Sequence, residues 1–262
     1  MAFATGSRIW AERKEAHMPD LFTALRTGAT ITARRHAALA LGSTREPGAA
    51  AVLVERLRAE RAGQVREDIT WALVQHAEEA EPLLLALLDS PSAHDRFSGA
   101  HVLSKVAKPA HFDRLAPLVA DQHPDVALKA YRAVANTGGA KAAPVLAAQL
   151  GVGDRWQRDA LIDALSRVGE PAVGVLAGRL TDDDAAVRRH ALEALAQLGE
   201  RAAAAVPRVA RLVADPDEEA RLLAVSALGA LGETARPELE RVAAGEGRLA
   251  RVARHFLAQT HP

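Results

Sequence analysis

Residues 182–199, DDDAAVRRHALEALAQLG, are the stretch of sequence that decides the fold of this chain. The apolar residues Val187, Ala191, Leu195 and Leu198 recur at intervals of three or four, which is the spacing of a helix. They therefore form one apolar stripe, and polar residues occupy the rest of the helix surface. The stretch predicts an amphipathic helix.

Polar and glycine residues mark the two ends of this helix. Asp183 or Asp184 is expected to cap the N-terminus, where unpaired N–H groups and the helix dipole favour a carboxylate. Gly199 is expected to end the helix, because glycine readily adopts a left-handed conformation. A second apolar stretch, residues 203–213, follows with its own helical spacing. The unit is therefore predicted to be a hairpin of two helices.

The same pattern returns along the chain at intervals of 30 to 33 residues. In the first helix of each copy one position serves as a marker, and it is occupied by Arg34, Arg66, Arg96, Ala127, Arg158, Arg188 and Arg221. Prolines such as Pro82, Pro144 and Pro237 are expected to open the second helices, where a missing N–H has no cost. Internal repetition of this length is typical of solenoid proteins.

A single hairpin is too small to bury its own apolar stripe, but stacked neighbours bury one another. We therefore predict an all-α fold, an α-solenoid that forms a right-handed superhelix of about seven hairpins. Residues 1–30 are expected to form an N-terminal segment or capping helix, and residues 31–262 the repeat array. The predicted repeats lie near 31–59, 63–89, 92–120, 123–151, 154–181, 183–214 and 216–244, with a terminal cap at 246–262.

The composition restricts the function as well as the fold. The chain is 49% apolar but only 3% aromatic, so Ala, Leu and Val must fill the core. The 33 basic residues balance the 33 acidic ones, so no global positive field favours a nucleic acid. Cysteine is absent, which excludes thiol chemistry and disulfides. We find no signal peptide and no membrane-length apolar run, and expect a cytoplasmic protein. The preference for Arg over Lys, with abundant Ala, is typical of a GC-rich bacterial genome.

The pattern Asp-x-x-x-x-Val-Arg…Ala-Leu-x-Ala-Leu-x-x-Leu-Gly, seen in residues 182–199, resembles the short bacterial HEAT repeats of the phycobilin-lyase type. The resemblance covers about residues 31–260. It implies a helical solenoid and says little about chemistry, because proteins of this kind include scaffolds, lyases, hydroxylases and DNA glycosylases.

Iron-dependent deoxyhypusine hydroxylases of similar architecture carry paired His-Glu dipeptides, and this sequence contains none. His94 and His101 lie seven residues apart on one predicted helix and are the weak candidates for a metal site. Because no regular ligand spacing accompanies them, we interpret them as surface histidines and predict no metal and no cofactor.

DNA glycosylases and bilin lyases of this architecture require residues that can be sought in the sequence. HEAT-like DNA glycosylases use tryptophans and an aspartate, which Trp156 with Asp159 and Trp71 with Asp68 resemble; the neutral charge and scarce aromatics speak against nucleic acid. A bilin lyase would need an acidic residue or a tyrosine, but Tyr131 falls at a core position.

A comparison of equivalent positions indicates where a partner binds. The position of Glu193 in the repeat corresponds to Asp163, His101 and other polar residues elsewhere, but to Leu39 and Trp71 in the first two repeats. These two are expected to form an apolar patch that needs a cover. Either Phe3, Ile9 and Trp10 of the N-terminal segment fold back over it, or a partner protein or a second copy does.

Two further sets of residues are candidates for partner binding. Trp156 precedes a first helix where other repeats have small or polar residues, so it is expected to be an exposed anchor. The second helices, which by resemblance line the concave surface, are acidic early (Glu78, Glu79, Glu81) and basic late. The basic candidates are Arg201, Arg208, Arg211, Arg251 and Arg254.

These observations favour a non-catalytic scaffold that binds a protein or peptide in a concave groove and on exposed Trp and Leu patches. A lyase- or hydroxylase-like enzyme with a site in the groove is the first alternative. A DNA-binding repair protein of the HEAT-like glycosylase type is the second. The oligomeric state stays open.

Overall fold

The computed structural model of the protein describes residues 20–44 and 46–259. All regular secondary structure in these ranges is helical, which confirms the predicted all-α class. None of the helices there combines the length and apolar character that a bilayer crossing requires. Phe3, Ile9 and Trp10 lie outside the described residues.

The described chain falls into two compact units, one ending at Val106 and the other beginning at Ala107. The helices of the first unit are α1 (Leu21–Thr27), α2 (Ile31–Ser43), α3 (Ala49–Ala59), α4 (Gly63–Gln75), α5 (Ala77–Leu87) and α6 (Ala93–Val106). First helices pack on first helices, α2 on α4 and α4 on α6, and the second helix α3 packs on α5. The short helix α1 packs against both α2 and α3.

The second unit continues the same alternation of first and second helices. Its α-helices are α7 (Phe112–Leu115), α8 (Pro124–Gly138), α9 (Ala142–Ala147), α10 (Arg155–Val168), α11 (Glu170–Arg179), α12 (Ala185–Leu198), α13 (Val206–Arg211), α14 (Glu218–Ala230), α15 (Arg236–Ala243) and α16 (Gly247–Gln259). The 3₁₀ segments are Pro109–His111, Ala116–Ala120, Gly139–Lys141, Gly199–Ala205, Leu212–Ala214 and Glu233–Ala235. The first helices α8, α10, α12 and α14 pack in sequence, and α16 packs on α14 and α15.

The boundary between the two units, at Val106, falls inside the third predicted repeat, residues 92–120. The second half of this repeat contains no long helix: the four-residue α7 stands between two 3₁₀ segments. Ala107 has a φ of +55°, which is unusual for a residue other than glycine. A four-residue helix between two 3₁₀ segments thus stands where the repeat pattern predicts a second helix.

The cores of both units are built from small and branched aliphatic side chains. Leu195 is fully buried, and the single tyrosine, Tyr131, is only 2% exposed, as its core position predicts. Asp184 caps α12 by accepting a hydrogen bond from the N–H of Ala186 at 2.8 Å. Gly199 ends that helix with a φ of +61°, a conformation that glycine adopts without strain.

The position of one proline is predicted wrongly. Pro237 is the second residue of α15, as expected of a proline that opens a helix. Pro82, however, lies inside α5, which begins five residues earlier at Ala77. Only His76 separates α5 from α4, so the second helix starts almost directly after the first.

In five repeats the arginine at the marker position binds the turn that precedes the first helix. In five first helices the fourth residue is an arginine that donates a hydrogen bond to the carbonyl six residues earlier, at 2.8 to 3.4 Å. These loop-binding arginines are Arg34, Arg66, Arg96, Arg188 and Arg221. The marker is therefore structural, and it explains why the spacing of arginines reveals the repeats.

Candidate functional site

The first helices α10, α12 and α14 of the second unit enclose an open groove of about 540 Å³. Its lining, which we call the first-helix groove, consists of Asp159, Ile162, Asp163, Leu192, Glu193, Ala196, Gln197, Leu223 and Ser226. Asp163, Glu193 and Ser226 occupy equivalent positions in three consecutive repeats. The stacking of identical hairpins brings them together, because residues on the same helix face align when neighbouring helices pack side by side.

The lining contains three carboxylates and no cationic side chain. Asp163 accepts a hydrogen bond from Arg167 Nε at 3.0 Å, and Asp159 Oδ2 lies 3.7 Å from Arg155 Nε. Both pairs join residues one helical turn apart on the exposed surface of α10. Such exposed pairs are weak and exchange readily with solvent or another charge.

Glu193 differs from the two aspartates because it is partly buried and makes no ion pair within the described ranges. Burial raises the pKa of its carboxyl, and Glu219 and Asp159 raise it further, whereas Arg158 and Arg189 oppose this. A smaller cavity of about 170 Å³ adjoins it and is lined by Arg158, Ala186, Arg189, His190, Glu193 and Glu219. Glu193 is thus common to both cavities.

His190 holds the segment that precedes α10. Its side chain is buried, Nδ1 accepts the N–H of Gly151 at 3.1 Å, and Nε2 donates to the carbonyl of Arg158 at 3.1 Å. These two backbone contacts place the proton on Nε2, and burial lowers the pKa of the imidazole. His190 is therefore a neutral side chain that anchors the start of α10.

Trp156 lies at the second position of α10 and is 79% exposed. It shares a helix face with Asp159 and Asp163, three and seven residues further on. A capping box between Asp154 and Gln157 fixes the helix start beside it. The predicted exposure of Trp156 is confirmed, and the residue stands at one end of the α10 face that lines the first-helix groove.

The predicted patch in the first unit brings Leu39 and Trp71 to adjacent helices, α2 and α4. They are 40% and 42% exposed. Arg35 and Gly42 flank Leu39 on the same face of α2, and both contact α4: Arg35 pairs with Asp68 at 2.6 Å, and Gly42 lies under the Trp71 ring. A Cβ atom on Gly42 would approach the ring to 2.4 Å. The tryptophan thus covers a glycine and still leaves much of its surface open.

The two candidate metal-binding histidines contact different residues of α4. Nε2 of His94 lies 2.8 Å from an Arg66 nitrogen, and Nε2 of His101 lies 3.0 Å from Glu67 Oε1. Lys105 also contacts Glu67, at 2.9 Å. In the described part of the chain, no three His, Cys, Asp or Glu residues gather as metal ligands would.

The candidate arginines do not form one surface cluster. Arg201 binds the carbonyl and hydroxyl oxygens of Ser166 at 3.3 and 3.2 Å, and Arg254 donates to the Ala250 carbonyl at 3.2 Å. Arg208 and Arg211 are exposed on α13, whereas Arg251 is exposed on α16. The acidic residue Glu79 of α5 is engaged as well, since it accepts the N–H of Gly48 at 2.9 Å.

Sequence reasoning identified the position of Glu193 in the repeat but assigned it only to solvent, and it placed the groove on the second helices. The signal for the first-helix groove was present in the polar residues Asp163, Glu193 and Ser226, each of which directly follows an apolar residue, namely Ile162, Leu192 and Val225. What the sequence lacks is the separation between neighbouring helices, which decides whether a row of side chains forms a flat surface or a groove.

Stacked helical hairpins in register, with a groove across three first helices, define a helical-repeat protein. The HEAT repeats family matches residues 114–196 and 173–258, which together span 114–258. Because this is more than half of the sequence, the chain belongs to the HEAT-repeat family. No curated protein sequence gives a significant match.

Several solved structures are similar to this chain in fold. The archaeal HEAT-like repeats protein from Thermococcus onnurineus NA1 is 16% identical over 81% of this chain and 97% of that chain, with a TM-score of 0.51. Kap95p, from a structure concerned with its binding to RanGDP, is 12% identical over 94% of this chain and 40% of that chain, with a TM-score of 0.61. Kap121p bound to the extreme C-terminus of Cdc14p is 14% identical over 91% and 32%, with a TM-score of 0.58. At these identities the likeness shows the fold alone.

Proposed function

We propose that the protein is a non-catalytic scaffold and that its second unit binds a peptide segment of a partner protein in the first-helix groove. The observation that carries this proposal is the exposed Trp156 ring, which shares a face of α10 with Asp159 and Asp163 of the groove lining. A tryptophan that is 79% exposed has nearly its whole apolar surface in water, and covering it on binding is favourable. Tryptophan is also among the residues most enriched at the energetic centres of interfaces.

The groove has the size and lining of a binding site for one or two side chains of a ligand. Its volume of about 540 Å³ falls in the range of pockets that hold small ligands. Ile162, Leu192 and Leu223 supply apolar contacts, and the carboxylates and Ser226 supply polar ones. The second helices, which the sequence placed on a concave binding surface, are less suited because Arg201 and Glu79 are already engaged within the chain.

The chemistry of the groove favours binding over catalysis. The one imidazole near it, that of His190, has both ring nitrogens committed to backbone groups, so it has no free nitrogen to act as a general base. His94 and His101, around which a hydroxylase- or lyase-like site was considered, bind different partners on α4. These contacts support a scaffold over the enzyme alternative.

The DNA-binding alternative also receives less support than the scaffold. Arg208 and Arg211 lie on a different helix from Arg251, and the groove beside Trp156 is acidic, which disfavours phosphate. Asp68, the aspartate nearest in sequence to Trp71, is bound to Arg35. In HEAT-type folds a bound peptide has a precedent in Kap121p with the extreme C-terminus of Cdc14p.

A peptide library displayed against the purified full chain tests the proposal. Enriched peptides are synthesised with a fluorescent label and titrated with the wild type, with Trp156→Ala and with Arg208→Ala as a control on a second helix. Truncation of an interface tryptophan costs about 2 kcal/mol or more, so Trp156→Ala is expected to weaken binding at least about 30-fold. Arg208→Ala is expected to bind as the wild type does. Equal binding by Trp156→Ala and wild type would place the ligand elsewhere.

The patch of Leu39 and Trp71 is proposed as a second contact surface of the scaffold. Its exposed apolar area lies beside the Arg35–Asp68 pair, an arrangement of apolar centre and charged rim that is typical of interfaces. Trp71→Ala is expected to change the oligomeric state or weaken partner binding, and sedimentation of the two proteins at equal concentration measures the former.

The composition and the repeat pattern support a proposal on the source, location and repeat type of the protein. We infer a bacterial, cytoplasmic protein of the short, phycobilin-lyase-like HEAT type whose hairpins form a right-handed superhelix. Its abundance of Arg over Lys and the short repeat period support this. Small-angle scattering of the purified chain tests the superhelix, because a compact sphere would exclude it.

A further inference from the structure

We propose that the segment taken by the first-helix groove is basic, with an arginine or lysine side chain lying against Glu193 and a second cationic side chain against Trp156. This inference rests on the proposed function and specifies its ligand. The partner is a protein or peptide with a positively charged, extended stretch. Three observations support this inference: the negative charge of the groove lining, the partial burial of Glu193 and the position of Trp156 on α10.

The lining of the groove is negatively charged, although the formal net charge of the whole chain is zero. Its lining contains three carboxylates, Asp159 and Asp163 from α10 and Glu193 from α12, and no lining residue carries a positive charge. The arginines that pair with the two aspartates, Arg155 and Arg167, lie on the exposed side of α10, with side chains 87% and 41% exposed. A cation from a ligand can replace these weak pairs without breaking the fold.

Glu193 is the carboxylate that most needs a cationic partner. It is partly buried between two cavities and makes no ion pair within the described ranges, although Arg158 lines the smaller cavity with it and acts to lower the pKa of its carboxyl. The nearby Arg189 is already bound to Glu219 and lies 3.8 Å from Asp217. Burial raises the pKa of the Glu193 carboxyl because it penalises the ionised form, and Arg158 opposes this only in part. A bound cation would stabilise that ionised form.

Trp156 adds a second recognition element for a cation. A guanidinium or ammonium group over the face of a tryptophan is attracted by the ring, and arginine also stacks on it. Seven residues separate Trp156 from Asp163 on one helix face, which corresponds to about 10 Å at 1.5 Å per residue. Glu193 occupies on α12 the position that Asp163 occupies on α10, so Trp156 and Glu193 are offset by about the same distance along the helix direction. An extended peptide covers that distance in about three residues. The expected ligand therefore carries basic residues about three positions apart, with apolar residues between them for Ile162 and Leu192.

Other occupants fit the groove less well. A nucleic acid would place phosphates against three carboxylates, which repel them. An acidic or neutral peptide would leave Glu193 unpaired and more deeply buried, which is unfavourable. Each of these becomes a measurable outcome of the experiment below.

The experiment uses the full chain and labelled ten-residue peptides of the pattern Arg-Leu-Ala-Arg flanked by Ala and Gly. The probes are this peptide, the same peptide with citrulline in place of both arginines, and the same peptide with glutamate there. Citrulline is nearly isosteric with arginine but is neutral, because a carbonyl oxygen replaces one nitrogen of the guanidinium group. The protein stays unchanged in this comparison. Binding is measured by fluorescence anisotropy at low and high salt.

The arginine peptide is expected to bind at least tenfold more tightly than the citrulline peptide, and the glutamate peptide is expected not to bind. The substitution Glu193→Gln is expected to lower the affinity of the protein for the arginine peptide about tenfold. Its affinity for the citrulline peptide is expected to stay unchanged. Glu233→Gln removes the same charge from an exposed site outside the groove and serves as the matched control. Its affinity for the arginine peptide is expected to equal that of the wild type.

Equal affinity for the arginine and citrulline peptides, or an unchanged affinity in Glu193→Gln, would overturn the inference. If the peptide library yields ligands that need Trp156 but show no preference for basic residues, the proposed function stands and the inference is wrong. If no peptide binds the protein at all, the proposed function itself fails. Binding of duplex DNA that Glu193→Gln strengthens would indicate a nucleic-acid partner instead.

Discussion

Glu60 offers a quantitative test of how the first unit is held together. It follows the C-terminus of α3, and its side chain is 2% exposed. Its carboxylate accepts hydrogen bonds from Arg34 Nε at 2.7 Å, from an Arg56 nitrogen at 2.6 Å and from the N–H of Ala62 at 2.9 Å. Burial by itself would raise the pKa of this carboxyl, but these hydrogen bonds bring it from 4.5 down to about 2.

The size and the sign of the effect follow from this pKa. A decrease of about 2.5 pH units corresponds to about 3 kcal/mol in favour of the folded, ionised state. The unfolded chain binds the proton first as the pH falls, so this stabilisation is complete above about pH 5 and is lost as the pH falls through about 2. Between pH 7 and pH 3 the loss is about 2 kcal/mol.

The substitution Glu60→Gln removes the charge and keeps the shape. We expect it to lower the free energy of unfolding by about 3 kcal/mol at pH 7 and by much less at pH 3, measured by urea unfolding followed by circular dichroism. Glu55→Gln on the same helix is the matched control, because Glu55 is 60% exposed and its pair with Arg26 contributes little. The reasoning is refuted if Glu60→Gln matches the wild type at pH 7, or if the difference between them is the same at both pH values.

Three further substitutions test the packing and the groove. Gly42→Ala should lower the free energy of unfolding by about 1–3 kcal/mol, because the new methyl group collides with the Trp71 ring; a neutral effect in urea unfolding would contradict the packing. Leu195→Asp buries an unpaired charge and should abolish the cooperative thermal transition of the second unit, so a soluble, cooperative variant would contradict the core assignment. His190→Phe leaves the Gly151 N–H without its acceptor and should accelerate hydrogen exchange at that amide by at least tenfold; unchanged protection there would show that His190 does not hold the loop before Trp156.

Much of the fold follows from the sequence because the decisive interactions are local. The cap of Asp184, the glycine end at Gly199 and the apolar stripe through Leu195 each depend on residues within a few positions of one another. Pro82 shows the limit of this reasoning. A proline is tolerated in the first turn of a helix and disfavoured in its interior, but tertiary packing of α5 places it inside.

The site was predictable only in part. The exposure of Trp156 follows from a comparison of equivalent positions, because its neighbours in other repeats are small or polar. The groove follows from the distance between α10, α12 and α14, which no single helix encodes. The role of His190 also depends on two hairpins, since its partners Gly151 and Arg158 are 39 and 32 residues away. The positive φ of Ala107 has no signal in the sequence, because alanine rarely adopts it.

The loop-binding arginines take main-chain carbonyls as their acceptors. An amide carbonyl is present whatever side chain the turn carries, so this attachment imposes no demand on the residue types of the connecting segments. A hairpin moved from one position of the array to another would therefore keep the arginine that binds the preceding turn. Arg158 stands at the same fourth position of its helix but donates no such bond in the described structure. It lines the cavity beside Glu193 instead. One departure from the repeated contact thus leaves an arginine side chain lining a cavity instead of binding the preceding turn.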